Sequence, residues 1–128
     1  MLNKTFDRLS LIFYFTPIMR LPNRNKAYIP LRKLELYLLS ETHAVGKSKA
    51  KFFRMLGFNE TNITRLEQEL LAIAQTETVT EVIPSPYGTK DIVDGSLNTP
   101  RGTSVRVRTV WIIETGDKVP RFVTAHPN

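Results

Sequence analysis

The chain has 128 residues and a mass of 14.7 kDa, which predicts a single domain large enough to bury a core. Hydrophobic residues make up 41% and charged residues 23% of the sequence, a composition that excludes a disordered or collagen-like protein. There is no cysteine and there are only two histidines. Disulfides, thiol catalysis and histidine-rich metal clusters are therefore excluded, and we expect no metal and no other cofactor.

Positive charge is concentrated in the N-terminal half. The formal net charge is +6, and residues 21–60 carry eight Lys or Arg against three Glu, whereas residues 61–128 carry seven against eight acids. A basic patch attracts polyanions, of which nucleic acid is the commonest. A solvated helix surface is the alternative interpretation of the same charges.

The first eighteen residues differ from the rest. Lys4 and Arg8 precede an apolar run at 11–15 that resembles the start of a signal peptide, but a Thr-Pro pair ends the run and no small-residue cleavage site follows. The run is also too short to cross a bilayer. We expect 1–18 to be an over-extended gene start or a disordered extension, and 19–128 to be one cytoplasmic domain without a membrane contact.

Hydrophobic spacing predicts helices before any strand. Pro30 suits the first turn of a helix because its missing N–H costs nothing there, and Gly57 is able to end one in the left-handed conformation. The predicted helices cover 30–39, 47–56 and a third segment that runs from a cap at Asn59 or Thr61 to about Gln75.

The pattern changes from helix to strand at about residue 76. The predicted strands lie near 78–83, 89–93, 104–114 and 121–125, with a loop at 97–102. The third of these is the strongest, and its apolar face includes Val107 and Trp111. The sequence thus predicts an α+β fold in which two to three N-terminal helices pack on a four-stranded antiparallel β-meander.

A short segment with one histidine and two lysines is the first candidate for chemistry. His43 lies in a predicted connector with Gly46, and Lys47 and Lys49 follow at the start of a helix. Cations beside exposed backbone N–H groups suit a phosphate. The alternative is a histidine that caps the loop next to two solvated lysines.

Three arginines of the predicted sheet are the second candidate. Alternation places Arg106 and Arg108 on the polar face of the third strand, and Arg121 lies on the next strand if a Gly-Asp turn closes the hairpin. Cross-strand neighbours can converge on one anion, and the arginine fork donates paired hydrogen bonds to phosphate oxygens. The alternative is a charged outer face on which the arginines pair with Glu81 or Asp91.

Together these side chains are what a metal-independent ribonuclease needs. A histidine such as His43 can serve as the base that accepts the 2′-hydroxyl proton or as the acid that protonates the leaving oxygen. Cations stabilise the charge on the phosphorane. The predicted catalytic set is His43, Lys47, Lys49, Arg108 and Arg121, and the predicted substrate-binding set is Tyr87, Arg106 and Thr124. His126 receives no role, because it lies close to the C-terminus, where disorder is common.

Several motifs resemble a small bacterial domain family that is catalogued only as being of unknown function. They are Leu21-Pro22-Asn23, His43-x-Val45-Gly46-Lys47-x-Lys49-Ala50, Tyr87-Gly88, Val107-Arg108-Thr109-x-Trp111 and Pro120-Arg121 with Thr124. The resemblance covers about residues 20–126. Members often have a basic residue or histidine where this chain has Ser48, and an aromatic residue near His126.

The resemblance implies a toxin. Domains of that family occur beside a short partner gene and at the C-terminal ends of polymorphic toxins, and helices followed by a four-stranded meander resemble the barnase–EndoU–colicin–RelE group of ribonucleases. The implied partners are RNA and a small antitoxin or immunity protein from a neighbouring gene. The rival interpretation is a non-catalytic module that binds a protein or nucleic acid through the same basic surface.

Overall fold

The computed structural model describes residues 19–38 and 47–128, with helices first and a sheet after them. The helical part consists of a 3-10 turn at Arg24–Lys26, a π-helical segment at Lys33–Leu38, helix α1 at Lys47–Met55 and helix α2 at Ile63–Thr76. The strands are β1 (Val79–Ser85), β2 (Gly88–Asn98), β3 (Ser104–Glu114) and β4 (Arg121–Pro127). They pair antiparallel in the order β1-β2-β3-β4, so the predicted α+β meander is confirmed.

The described helices follow the predicted hydrophobic spacing closely. Helix α1 ends one residue earlier than expected, and Gly57 then adopts a φ of 101°, a left-handed conformation that glycine takes without the strain other residues incur. Helix α2 begins after Asn62 instead of after Asn59 or Thr61. The Asn59 side chain accepts a hydrogen bond from the backbone N–H of Thr61 and so belongs to the turn before the helix.

The core lies between the helices and one face of the sheet, here called the inner face. Leu66 and Leu70 of α2 are fully buried there against residues of the strands, among them Trp111 and Phe122. The Trp111 and Phe122 rings meet edge to face with their centroids 5.3 Å apart. Trp111 is therefore a core residue and no base-stacking platform, as its position on the apolar face predicts.

Trp111 also anchors a buried hydrogen-bond chain. Its Nε1–H donates to Thr109 Oγ1 over 2.8 Å, and the Thr109 hydroxyl donates to the carbonyl of Val93 over 2.6 Å. Both polar groups are thereby satisfied inside the core, where an unpaired donor would cost free energy. The chain ties β3 to β2 on the inner face.

Strand β2 is longer than the predicted strand at 89–93 and includes part of the predicted loop at 97–102. It pairs with β3 without a break from Gly88 opposite Glu114 to Asn98 opposite Ser104. Asp94 and Gly95 are poor strand formers, but both are held by contacts to distant residues. Local propensity cannot register such contacts, and tertiary packing overrides it here.

Gly95 allows α2 to lie close to the sheet. A methyl group at this position would come within 2.8 Å of the Ile73 side chain. We expect Gly95→Ala to lower the free energy of unfolding by about 1–3 kcal/mol, because the buried helix must shift to admit the methyl group. Urea unfolding measures the change, with the exposed Asn98→Ala as the control in the same strand. Equal stability of the two variants would contradict this close packing.

The N-terminal part of the described chain connects the two edges of the sheet. Met19 O accepts a hydrogen bond from Val79 N at the start of β1, and Tyr28 O accepts one from Phe122 N of β4. Leu21, Ala27 and Ile29 are buried in the same core as the helices. The elements described at 19–38 and 47–76 thus cover the inner face of the sheet.

No helix in these described segments is both long enough and apolar enough to traverse a lipid bilayer.

Candidate functional site

The face of the sheet that points away from Trp111 and the core is called the outer face below. It brings together basic side chains from β3 and β4. Arg106 and Arg108 lie two residues apart on β3, and His126 of β4 is directly opposite Arg108. Directly opposed residues have Cβ atoms about 5 Å apart, and diagonal neighbours are about 7–8 Å apart. These three residues, called the arginine–histidine cluster below, are therefore neighbours on one face of the sheet.

Arg108 is fixed in orientation by a carboxylate on the neighbouring strand. Its Nε and Nη2 donate to the two oxygens of Asp94 over 2.8 and 2.9 Å, an arrangement that holds the guanidinium plane. The hydrogen bonds to Asp94 raise the pKa of Arg108 above its ordinary value, and the negative charges of Asp94 and Glu81 add to this effect. A guanidinium has five N–H groups, so three donors remain for a ligand. The predicted alternative pairing with Asp91 does not occur, because Asp91 is buried on the inner face opposite Trp111.

His126 is the residue of this cluster that sequence reasoning left out. The antiparallel ladder continues to Pro127 opposite Val107, and Asn128 N donates to Arg106 O over 3.2 Å. The end of the chain is thus held in the sheet. Strict alternation from Phe122 would place His126 on the inner face. The irregularity of the ladder at Val110 and Trp111 shifts the pattern, so that Ala125 is buried and the half-buried His126 lies on the outer face, and no local pattern in the sequence signals this shift.

The remaining polar groups near the cluster come from β2 and β4. Arg106 Nη1 lies 3.4 Å from Ser96 Oγ, a weak contact that leaves the side chain largely exposed. Thr124 lies opposite Val110, and its hydroxyl oxygen is buried without a hydrogen-bond partner within the described part of the chain. A buried hydroxyl of this kind has capacity to bind water or ligand.

Arg121 and Tyr87 lie at the other end of the outer face. Arg121 is opposite Ile112, four residues along β3 from Arg108, and forms an ion pair with Glu114. Four strand residues span about 13 Å. The prediction that all three arginines converge is therefore wrong for Arg121, because the β3–β4 register sets His126 beside Arg108 instead. Tyr87 is 77% exposed in the turn between β1 and β2.

The predicted histidine–lysine segment is only partly described. Lys47 and Lys49 lie in the first turn of α1, in the helical layer, and Lys49 is half-buried. His43 lies outside the described residues. In the described ranges, no three His, Asp or Glu side chains gather as metal ligands would, and the expectation of a metal-independent site stays a prediction.

A sequence model of a domain family without known function, DUF6883, matches residues 20–128. The chain belongs to this family. The predicted membership in a family of unknown function is thereby confirmed, with nearly the same boundaries as the motifs indicate. The gene neighbourhood that the resemblance implies stays a prediction, and no curated protein matches the chain.

The fold of this DUF6883 domain also occurs in a solved structure. One chain of a contact-dependent growth inhibition toxin–immunity protein complex from Klebsiella pneumoniae 342 superposes with a TM-score of 0.63. The two sequences are 13% identical, and the match covers 82% of this chain and 96% of the other. At that identity the likeness concerns the fold.

Proposed function

We propose that this DUF6883 domain is the toxin of a bacterial toxin–antitoxin or polymorphic toxin system and that it cleaves RNA without a metal ion. The observation that carries the proposal is the arginine–histidine cluster, Arg106, Arg108 and His126, on a sheet face that the described helices leave uncovered. The shared fold with a chain of a toxin–immunity complex adds support.

The cluster has the chemistry of phosphodiester transesterification. A base must remove the proton from a 2′-hydroxyl, which then attacks the adjacent phosphorus, and an acid must protonate the departing 5′ oxygen. Negative charge grows on the nonbridging oxygens during this step. The remaining donors of Arg108 and the exposed guanidinium of Arg106 are suited to stabilise that charge.

His126 has a suitable tautomer for the base. Its Nδ1 lies 3.1 Å from the carbonyl oxygen of Pro127. Because a carbonyl oxygen only accepts, Nδ1 carries the proton in this contact, and Nε2 of the neutral ring is then an acceptor. We propose His126 Nε2 as the base. His43 as the acid and Lys47 and Lys49 as further cations are proposed from the sequence alone, since the two lysines lie in the helical layer and the cluster lies on the other face of the sheet.

The partner is proposed to be a small immunity or antitoxin protein. The structural neighbour comes from a complex of a growth-inhibition toxin with its immunity protein. A protein that covers the arginine–histidine cluster would exclude RNA from it. Charge complementarity favours an acidic surface on such a partner, because the cluster holds two arginines.

The activity is tested with the purified full-length chain and total RNA in a buffer that contains EDTA. We expect discrete fragments that end in 2′,3′-cyclic phosphate, the product of attack by the 2′-hydroxyl. RNA that stays intact at excess protein would contradict the proposed ribonuclease.

The two histidines are distinguished by single substitutions. We expect His126→Ala to lower the cleavage rate by about 10²- to 10⁴-fold, because a positioned acid or base contributes that much. The same rate assay on His43→Ala tests the acid, and circular dichroism establishes that both variants fold. A His126→Ala variant that cleaves like the unmodified protein would show that the base lies elsewhere.

A non-catalytic binding module is the second candidate, and one observation favours it. Arg108 pairs with Asp94 and Arg121 pairs with Glu114, so part of the basic surface is neutralised within the domain. Tight binding of a protein partner or RNA by a folded chain that cleaves no RNA would favour this function.

A further inference from the structure

The outer face also contains a cleft away from the arginine–histidine cluster. It lies where the β1–β2 turn approaches β3 and β4 and has a volume of about 420 Å³, which is within the usual range of small-ligand sites. Its lining residues are Tyr87, Lys90, Ile112, Glu114, Arg121 and Val123, together with Thr115. The inference drawn from it rests on the proposed function and names the base that the RNA substrate presents.

The cleft has an apolar floor and an aromatic side. Ile112 is 6% exposed, and Val123 is half-buried beside it. Tyr87 is 77% exposed at the edge, where no core packing accounts for an aromatic ring. Unpaired RNA bases commonly stack on such exposed aromatic rings, with apolar contacts to the base plane.

The polar rim of the cleft contains one carboxylate and two cations, Glu114, Arg121 and Lys90. Glu114 is an acceptor-only group when ionised, with two oxygens and room for several hydrogen bonds. Arg121 donates to one of these oxygens and so orients the carboxylate, and Lys90 supplies a second cation to the cleft. A carboxylate flanked by cations is complementary to a base edge with two adjacent N–H donors beside a carbonyl oxygen.

Guanine is the RNA base with that edge. Its N1–H and N2–H groups are adjacent donors, and its O6 is an acceptor next to them. Adenine, cytosine and uracil do not present two adjacent donors with a neighbouring acceptor. We propose that the cleft is a guanine subsite, in which Tyr87 stacks on the base, Glu114 accepts from N1 and N2, and Lys90 or Arg121 donates to O6.

The position of the cleft fits a subsite for a base near the cleaved bond. Ile112 in the floor lies four residues along β3 from Arg108, about 13 Å at the usual rise of a strand. Both sites are on the same face of the sheet. A single RNA strand that lies along β3 could therefore contact the cleft and the cluster together.

Binding is measured with uridine 12-mers that contain one central guanosine, adenosine or cytidine and 2′-O-methyl groups, which prevent cleavage. We expect the full chain to bind the guanosine oligomer most tightly. Glu114→Gln should weaken that binding by about tenfold or more, because a charged acceptor is lost, with little change for the other oligomers. Tyr87→Ala should weaken binding of all three by about five- to 100-fold, because stacking is lost.

Controls separate this inference from the ribonuclease itself. Glu77→Gln removes an exposed carboxylate at the end of α2 and should leave all three affinities unchanged. Equal affinity of the unmodified chain for the three oligomers, or an unchanged guanosine preference in Glu114→Gln, would overturn the guanine subsite even if the chain cleaves RNA. If the chain prefers guanosine, loses that preference in Glu114→Gln and cleaves no RNA, the guanine subsite is supported and the proposed ribonuclease activity is contradicted.

Discussion

Replacing Arg108 by alanine should reduce RNA cleavage by about 10²- to 10³-fold, the usual cost of losing one preorganised donor at a developing oxyanion. Arg108 is held by two hydrogen bonds to Asp94, so its remaining N–H groups are oriented before a substrate arrives. Arg108→Lys should restore little of this activity, because an ammonium group cannot reproduce the planar fork. Single-turnover cleavage of a labelled RNA measures the loss.

A change in stability must be separated from this catalytic effect. Asp94 has a side chain that is 11% exposed, so Arg108→Ala leaves a mostly buried carboxylate without its cation. The double variant Asp94→Asn with Arg108→Ala removes both charges. It should be more stable than Arg108→Ala alone but should cleave RNA no faster. Arg65→Ala, which removes an arginine from the helical layer, is the matched control and should cleave normally. Normal cleavage by Arg108→Ala would rule out the assigned role.

Trp111→Ala should produce the largest loss of stability, about 3–5 kcal/mol in the free energy of unfolding. The indole is fully buried, packs edge to face on Phe122 and donates to Thr109 Oγ1. Alanine removes the ring and leaves a cavity between α2 and the sheet. Urea unfolding followed by circular dichroism measures the difference.

Two further variants test this explanation. Trp111→Phe keeps most of the apolar volume and loses the hydrogen bond to Thr109. Its free energy of unfolding should therefore lie between those of the unmodified chain and Trp111→Ala. Tyr87→Ala removes an aromatic ring that is 77% exposed and should change stability by less than about 0.5 kcal/mol. A loss below about 1 kcal/mol for Trp111→Ala would mean that the inner face is not the main core.

Local patterns were sufficient to predict most elements of the fold. Helix α1, which ends two residues before Gly57, helix α2 and strand β3 all follow from the hydrophobic period and from the glycine after α1. The predicted strand β2 is too short, because the reasons for Asp94 and Gly95 in a strand lie far away in the sequence. Asp94 binds Arg108 of β3, and Gly95 makes room for Ile73 of α2. Such contacts are invisible in a window of neighbouring residues.

The candidate site was harder to predict because it depends on register. The alternation of β3 placed Arg106 and Arg108 on the outer face correctly. Which residue of β4 lies opposite Arg108 depends on the length of the β3–β4 turn and on the irregularity at Val110 and Trp111. Those features bring His126 into the cluster and leave Arg121 with Glu114.

The most direct test of the proposed function is controlled expression of the full-length chain in bacteria, with growth and total RNA followed in the same culture. We expect growth arrest with discrete RNA fragments for the unmodified chain, and normal growth with intact RNA for Arg108→Ala and His126→Ala at equal protein levels. Normal growth and intact RNA in cells that contain the soluble, folded, unmodified protein would contradict it.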